Sequence, residues 1–382
     1  MEPFKNIFNL SAVDHISRHI QRAAPKAFDK KAFQKHASAG LESLELKDRV
    51  RHIADALHVS IKGSYQARVK GFIKALAKLE EGEGKSTHSQ SASSGLHGFM
   101  VWPLLQYIET HGLDDFETSF AGMHAMTQRF TAEFAIRPFL MRDDVWVFKQ
   151  LNQWKGDPSD HVRRLCSEGI RLNLPWGLKV PVLERKLNRN VKMLNTLKFD
   201  PSKYVQTSVA NHLKDISSVD PDLMVTICQS WIKAKKQRKT IQWIIAKASQ
   251  NLLKKGHPDV FRLNGFDPEL SCALEYCRLS QSRIAIGDSV RLQARIILEG
   301  RDQSAAVMLH YGVDYPRPSG KSTKKRFVLK RGIIKPSTTF DIDKAIPFKS
   351  ISTRRLYPGA HGVDLWLNGQ CIATMKVSVY TK

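Results

Sequence analysis

The stretch DPSKYVQTSVANHLKDIS, residues 200–217, decides the fold. On a helical wheel of about 100° per residue, Val205, Val209, Leu213 and Ile216 gather on one arc and form a core stripe. A second arc is polar, with Tyr204, Ser208, Asn211 and Asp215 within roughly 60° of one another. Such a helix packs on one side and presents an aromatic, an amide and a carboxylate on another. The phrase has a counterpart upstream: GDPSDHVRRLCSEGIR starts its Asp-Pro-Ser at Asp157, about 43 residues earlier, and the same apolar spacing follows. That period matches a HEAT-type helix pair, in which each repeat packs against its neighbours. In both copies Asp is expected to cap free N–H groups and Pro to suit the first helical turn. A looser third copy runs from Lys236 to Lys255, with Ile241, Ile245 and Leu252 on its stripe. The expectation is an α-solenoid through roughly Phe266.

Upstream, Lys5 to about Leu79 reads as helical, with a break at Pro25 and a cap at Asp29; Val50, Ile53 and Leu57, then Val69, Phe72, Ile73 and Leu76, recur at helix spacing. Residues 80–98, rich in Gly and Ser, read as a mobile loop inside the helical region. Trp102, Leu105 and Ile108 resume the apolar face, and Asp114 to Phe139 is expected as one long helical segment that Pro138 bends or ends. Past Asp267 the period changes to two. Residues 290–298, 307–311, 326–330, 363–367 and 373–380 read as strands, Asn368-Gly369 as a hairpin turn, and residues 356–363 as the tyrosine-corner approach of an immunoglobulin-like domain. The expected fold is an N-terminal all-α HEAT-like repeat solenoid, residues 1–267, followed by an all-β immunoglobulin-like sandwich, residues 268–382.

Charge narrows the partner. Lysine and arginine number 60 against 36 acidic residues in 382, a net +24, which points to a polyanion, with nucleic acid ahead of an anionic membrane. No apolar run approaches the roughly 18–20 residues of a membrane span, and the first residues lack the order of a signal peptide. The five cysteines are scattered without a C-x-x-C pair and read as free thiols in a reducing cytosol. No P-loop, G-x-G-x-x-G, H-E-x-x-H or G-x-S-x-G motif supports nucleotide hydrolysis, zinc chemistry or serine acyl transfer, so no metal, nucleotide or other cofactor is expected. Nothing suggests a dimer, and a monomer is expected.

The repeat alignment puts Glu168 in the place of Asn211, one turn before the position of Asp215, on a stripe with His161, Arg164 and Arg171. Stacked repeats would line these stripes on one surface, where they serve either as a functional row of acids or as a surface ion-pair network with Arg164 and Arg171. Trp176, in Leu174-Pro-Trp-Gly177, either projects for a base or ribose to stack on or pins its turn to the core. Glu133 stands four residues from both Arg129 and Arg137, and an intrahelical salt bridge competes with a functional role. Basic residues suit phosphate contacts: Arg164 on the solenoid stripe; Lys235, Lys236, Arg238 and Lys239 before the third repeat helix; Arg317, Lys321, Lys324, Lys325 and Arg326 in one region of the β domain; Arg354 and Arg355 in another. Recognition of backbone and shape is expected over sequence readout.

Three segments together, FTAEFAIRPFL (130–140), HVRRLCSEGIRLNLPWG (161–177) and YVQTSVANHLKDIS (204–217), resemble bacterial DNA alkylation-repair glycosylases of the HEAT-like repeat superfamily. The similarity is to the AlkC branch, which carries an Ig-like domain after the solenoid, and it spans nearly the whole chain in order. It implies excision of N3-methylated bases, chiefly 3-methyladenine and 3-methylcytosine, from duplex DNA without a metal, in the bacterial cytoplasm at the nucleoid. Carried over position by position, the family's acids fall on Glu133, Glu168 and Asp215 and its aromatic on Trp176; Tyr204 and Asn211, on the polar stripe of Asp215, are expected as substrate contacts. The sequence departs from the family at Gln206–Ser208 and in the Ser-rich stretch 80–98, away from those four positions.

The implied chemistry suits these residue types. A base methylated at N3 is cationic and leaves as a neutral molecule, so no general acid is needed. A carboxylate near C1′ stabilises the oxocarbenium-like sugar and orients the attacking water. Asp215 is expected as the principal acid of a monofunctional enzyme that leaves an abasic site. A non-catalytic binder of damaged or branched DNA, and an RNA or protein scaffold, are the other classes this sequence admits.

Overall fold

The computed structural model describes residues 3–79, 94–233, 238–298, 304–335, 339–351 and 355–381. Lys235, Lys236 and Arg354, and residues 80–93 of the Ser-rich stretch, lie outside these. The chain forms two compact units, Met1–Asp215 and Ile216–Lys382.

In the first unit, helices Leu10–Ala23, Lys30–Ser38, Leu46–Ser60 and Tyr65–Ala75 pack their apolar stripes together. Asn9, Asp29 and Ser64 cap three of them by accepting from the N–H three residues on, and Val13, Ile16, Ile20, Phe33, Ile53, Leu57 and Phe72 are fully buried. Trp102–His111 and Phe116–Thr127 follow.

The long helix expected over 114–139 does not form. It stops at Thr127, residues 128–135 run irregularly, and a new helix spans Ile136–Arg142. Pro138 falls in the first turn of that new helix, where its missing N–H has no intrahelical partner to lose, so it starts a helix instead of ending one. Arg129 stabilises the break by donating to the carbonyls of Ala77 and Ala125, each at 2.9 Å.

Helices Asp144–Trp154, Asp160–Glu168, Pro181–Arg185, Leu187–Leu197 and Lys203–Val219 complete the repeat region. The two Asp-Pro-Ser phrases are equivalent in space, but neither Asp is a helix cap. Each Oδ1 accepts from the Ser N–H two residues on, Asp157 from Ser159 at 2.8 Å and Asp200 from Ser202 at 2.9 Å, forming a turn before the helix. Arg163 joins the copies, donating to the Asp157 carbonyl at 2.8 Å and to Asp200 Oδ2 at 2.6 Å. Val205, Val209, Leu213 and Ile216 are buried, as the wheel requires.

The second unit begins with Pro221–Lys233, Arg238–Ala248, Gln250–Lys255 and Pro258–Leu263. Ile241, Ile245 and Leu252 are buried, on two helices that meet at Ser249. Eight strands follow among the described residues: β1 (Cys272–Leu279), β2 (Arg283–Ala285), β3 (Ser289–Leu298), β4 (Ala305–Pro316), β5 (Ser322–Ile334), β6 (Thr339–Pro347), β7 (Gly359–Leu367) and β8 (Gln370–Tyr380). They form a three-stranded sheet, β1-β3-β6, and a five-stranded sheet, β2-β8-β7-β4-β5, with β2 parallel to its neighbour β8. Alternate residues enter the sandwich core: Val290, Leu292, Ala294 and Ile296 from one sheet, Val307, Leu309, Val363, Leu365, Val377 and Val379 from the other. The Asn368-Gly369 hairpin is formed, with φ of 43° and 92°, as a turn with two left-handed residues demands. Asn368 also ties this turn to the helical end, donating to the Asp267 carbonyl at 2.8 Å. At the β7 approach His361 bonds the Tyr357 carbonyl at 3.0 Å. No helix among the described residues is long and apolar enough to cross a membrane.

Candidate active site

Breaking the helix at Thr127 moves Glu133 out of reach of a helical salt bridge. Glu133 Oε2 accepts from Thr131 Oγ1 at 2.9 Å and from Arg164 Nη1 at 2.6 Å, so its partner comes from helix Asp160–Glu168 and not from Arg129 or Arg137. Arg164 stands at the centre: it donates to Thr131 at 2.8 Å, reaches Glu168 Oε1 at 3.4 Å, and its guanidinium lies 4.9 Å from the Tyr204 ring centroid. That face is a cation–π seat for the arginine. His161 packs edge-on against the same ring, with centroids 5.3 Å apart.

Glu168 sits at the last turn of its helix. Its Oε1 accepts from Arg171 Nη1 at 2.7 Å and its Oε2 from Ser208 Oγ at 2.6 Å. Arg171 then grips Asp215 in a fork, Nε to Oδ2 at 2.8 Å and Nη2 to Oδ1 at 3.1 Å, and the Asn173 N–H adds a contact to Oδ2 at 3.3 Å. The structure therefore gathers Glu133, Glu168 and Asp215 into one chain of contacts through Arg164 and Arg171. The ion-pair reading named the right partners but the wrong setting, because these are not surface pairs: Glu168, Asp215 and Arg171 are buried. The departure at Gln206–Ser208 also reaches the site, through Ser208.

Burial opposes ionisation of Glu168, yet the guanidiniums of Arg164 and Arg171 and the Ser208 hydroxyl outweigh it and hold its carboxyl below the usual value. Asp215 goes the other way: burial pushes it up, and the Arg171 fork only partly offsets that. Two neighbouring carboxyls are thus driven apart in proton affinity, a mark of functional sites.

Trp176 projects. It is 65% exposed, with φ of 63°, in a turn whose neighbours Asn173, Pro175, Leu178 and Lys179 are also exposed. Asn211 is half-buried on the polar face of its helix.

Sequence reasoning missed Arg137. It is fully buried, donates to the Gly169 and Arg171 carbonyls at 3.0 Å each and to the Leu178 carbonyl, and so fixes the backbone on which Arg171 and Trp176 stand. Burial, with Arg171 nearby, lowers its pKa to about 10. The available signal was a lone arginine inside the apolar run FAIRPFL. His212 was missed too: it is buried, with Nδ1 against the Ser167 carbonyl at 3.1 Å and Nε2 against Asn190 Nδ2 at 3.3 Å, a pattern for a neutral ring.

Of the basic candidates, Arg238, Lys239, Arg317, Lys321, Lys325 and Arg355 are exposed. Arg164, expected to meet phosphate, is engaged by Glu133 at 2.6 Å and Glu168 at 3.4 Å; Lys324 and Arg326 are also committed elsewhere, the first to Asp364 at 2.5 Å and the second 3.4 Å from the Trp366 ring centroid. No three His, Cys, Asp or Glu side chains among the described residues converge as a metal-ligand set.

Comparison with known proteins agrees with this architecture. Residues 273–381 match the family described as "Uncharacterised protein YhaZ, C-terminal Ig-like domain". The chain is 32% identical over 373 residues to the uncharacterized protein YhaZ of Bacillus subtilis, covering 97% of each chain. It is also similar to the Pseudomonas fluorescens alkylpurine DNA glycosylase AlkC, solved bound to DNA containing an abasic site analog, with a TM-score of 0.85, 27% identity and 100% of both chains covered. The chain belongs to the YhaZ family and has an AlkC-like architecture, in which a helical region is followed by an Ig-like domain.

Proposed function

We propose that this protein is a monofunctional DNA glycosylase that excises cationic N3-methylated bases, 3-methyladenine and 3-methylcytosine, from duplex DNA and leaves an abasic site. One observation carries the reading: Glu133, Glu168 and Asp215 are joined through Arg164 and Arg171 next to a turn that presents an exposed indole. The similarity to an alkylpurine DNA glycosylase supports it.

The residues would divide the work as follows. The departing base carries its own positive charge, so the barrier lies in the sugar cation, which a fixed carboxylate stabilises without moving. Arg171 holds Asp215 by two bonds and Glu168 by a third, so neither acid has to be organised during the reaction. Asp215 is the principal group, orienting the attacking water, with Glu133 and Glu168 supporting it. Trp176 meets the lesion or its ribose, Tyr204 and Asn211 line the same face, and Arg164 holds Glu133 in place.

The helical part, residues 1–267, would bind DNA and carry the chemistry. The Ig-like part, residues 268–382, would add phosphate contacts through Arg317, Lys321, Lys325 and Arg355, and Arg238 and Lys239 would serve the helical side. The protein would act as a monomer at the nucleoid.

A non-catalytic damaged-DNA binder is the second reading, favoured by the fact that both Asp215 oxygens already accept bonds. Release of free methylated base from alkylated duplex DNA separates the two: a glycosylase releases it and the Asp215→Asn protein does not, whereas a binder releases none in either form.

A further inference from the structure

The Trp176 indole stands largely outside the fold, the residue being 65% exposed. Its φ of 63° is a left-handed conformation that a non-glycine residue keeps only where neighbours hold it. At the foot of the turn, Arg137 holds the Arg171 and Leu178 carbonyls, and Asp215 accepts from the Asn173 N–H at 3.3 Å. Inside the turn, Gly177 N–H donates to the Leu174 carbonyl at 3.0 Å, and a Cβ at Gly177 would come within 2.8 Å of Leu174. Of these, the Gly177 N–H reaches the tip, and it does so from within the turn itself.

The tip is held from helix Leu46–Ser60. Lys47 Nζ donates to the Trp176 carbonyl at 2.7 Å, across 129 residues of sequence. The same ammonium lies 5.5 Å from the ring centroid of Phe134, the residue after Glu133. One cation therefore touches both the turn that carries the indole and the segment that carries a candidate acid.

We propose that Lys47 is a positioning residue for Trp176, anchoring the tip of the 173–179 turn so that the indole faces the DNA. It acts through Trp176, and the proposal rests on reading Trp176 as the aromatic that meets the lesion. Lys47 has one other neighbour to serve. Burial pushes the Glu109 carboxyl up, and Lys47 and Arg51 act against that shift. A lysine kept for Glu109 alone would be mimicked by Glu109→Gln.

The test compares wild type, Lys47→Met, Lys47→Arg and Glu109→Gln, each with Trp176 and with Trp176→Phe. The Trp176 emission and its acrylamide quenching are taken as the difference within each pair, and affinity is measured for a duplex bearing an abasic-site analogue. Lys47 is exposed, so its variants keep the fold, which the unfolding midpoint checks. Lys47→Met is expected to change Trp176 quenching and to weaken duplex binding about three- to tenfold when Trp176 is present, but less than about twofold in the Trp176→Phe background. Lys47→Arg restores both readouts, and Glu109→Gln leaves the Trp176 signal as in wild type. An unchanged Trp176 signal in Lys47→Met, equal binding losses in both backgrounds, or the same effect from Glu109→Gln would each overturn the proposal. Should wild type release no methylated base while Trp176 quenching still follows Lys47, the glycosylase reading fails and the positioning role stands.

Discussion

Arg171 and Asp215 meet in a fork of two N–H···O bonds, at 2.8 and 3.1 Å, inside the protein, and the third arm of the same guanidinium holds Glu168 at 2.7 Å. Removing one partner of a buried pair leaves the other charge uncompensated, which costs about 3–5 kcal/mol. Arg171→Met is therefore expected to lower unfolding free energy by about that amount in urea denaturation. Arg171→Lys, a point charge that cannot form the fork, should recover only part of it.

Ser208 supplies the hydroxyl that Glu168 accepts at 2.6 Å. Ser208→Ala leaves that carboxylate oxygen short of a donor, for an expected loss of about 1–3 kcal/mol in unfolding free energy. It also removes one of the causes holding the Glu168 carboxyl down, so the acid limb of the pH–activity profile moves to higher pH. A profile that does not move would separate Glu168 from the rate.

Acid should weaken the fold before it reaches the carboxylates. Burial first, and Arg171 second, press the His212 pKa from 6.5 to about 3, so the unfolded chain binds a proton that the folded chain refuses. That stability is present above pH 6.5 and is lost as pH falls toward about 3, at about 1.4 kcal/mol per pH unit. The contribution of Glu168, held below 4.5 in the fold, is present above that value and is lost only at lower pH. Asp215, raised above 3.8, has the opposite sign: its stabilising effect is present below 3.8 and is lost as pH rises through its folded value. Unfolding midpoints taken from about pH 7 down to about pH 5 should decline in wild type and decline less steeply in His212→Asn, the slope that remains belonging to other histidines such as His19 and His310, whose pKa values burial lowers to about 4.

Phosphate contacts impose a salt law. Each neutralised phosphate adds about 0.9 to the slope of log affinity against log salt for duplex DNA. Replacing Arg317, Lys321 and Lys325 together by Gln should reduce that slope by roughly 2–3 and weaken binding to damaged and undamaged duplexes alike. An unchanged slope would remove the Ig-like loops from the interface.

The fold was largely legible because its signals are periodic. The stripe Val205, Val209, Leu213 and Ile216 is buried as read, and Asn368-Gly369 turns where it should. Three strands were not read, for identifiable reasons: β2 has only three residues, β1 mixes Glu275 and Arg278 into its run, and β6 keeps a period of two but sets Lys344 on the face of Phe340, Ile342 and Ile346. The site was less legible than the fold. Local spacing suggested that Glu133 pairs with Arg129 or Arg137, whereas the helix break gives it Arg164. Contacts between Ser208 and Glu168, or Lys47 and Trp176, join segments far apart in sequence and leave no local pattern.

The most direct measurement is single-turnover release of 3-methyladenine from alkylated duplex DNA by wild type and by Asp215→Asn, at equal occupancy of the DNA. Wild type should release the free base and leave an abasic site, with Asp215→Asn slower by about 10²–10³-fold, the scale of losing one preorganised electrostatic group. Equal rates in the two proteins, or no release by wild type on DNA that it binds, would contradict the assignment of this carboxylate cluster as the active site.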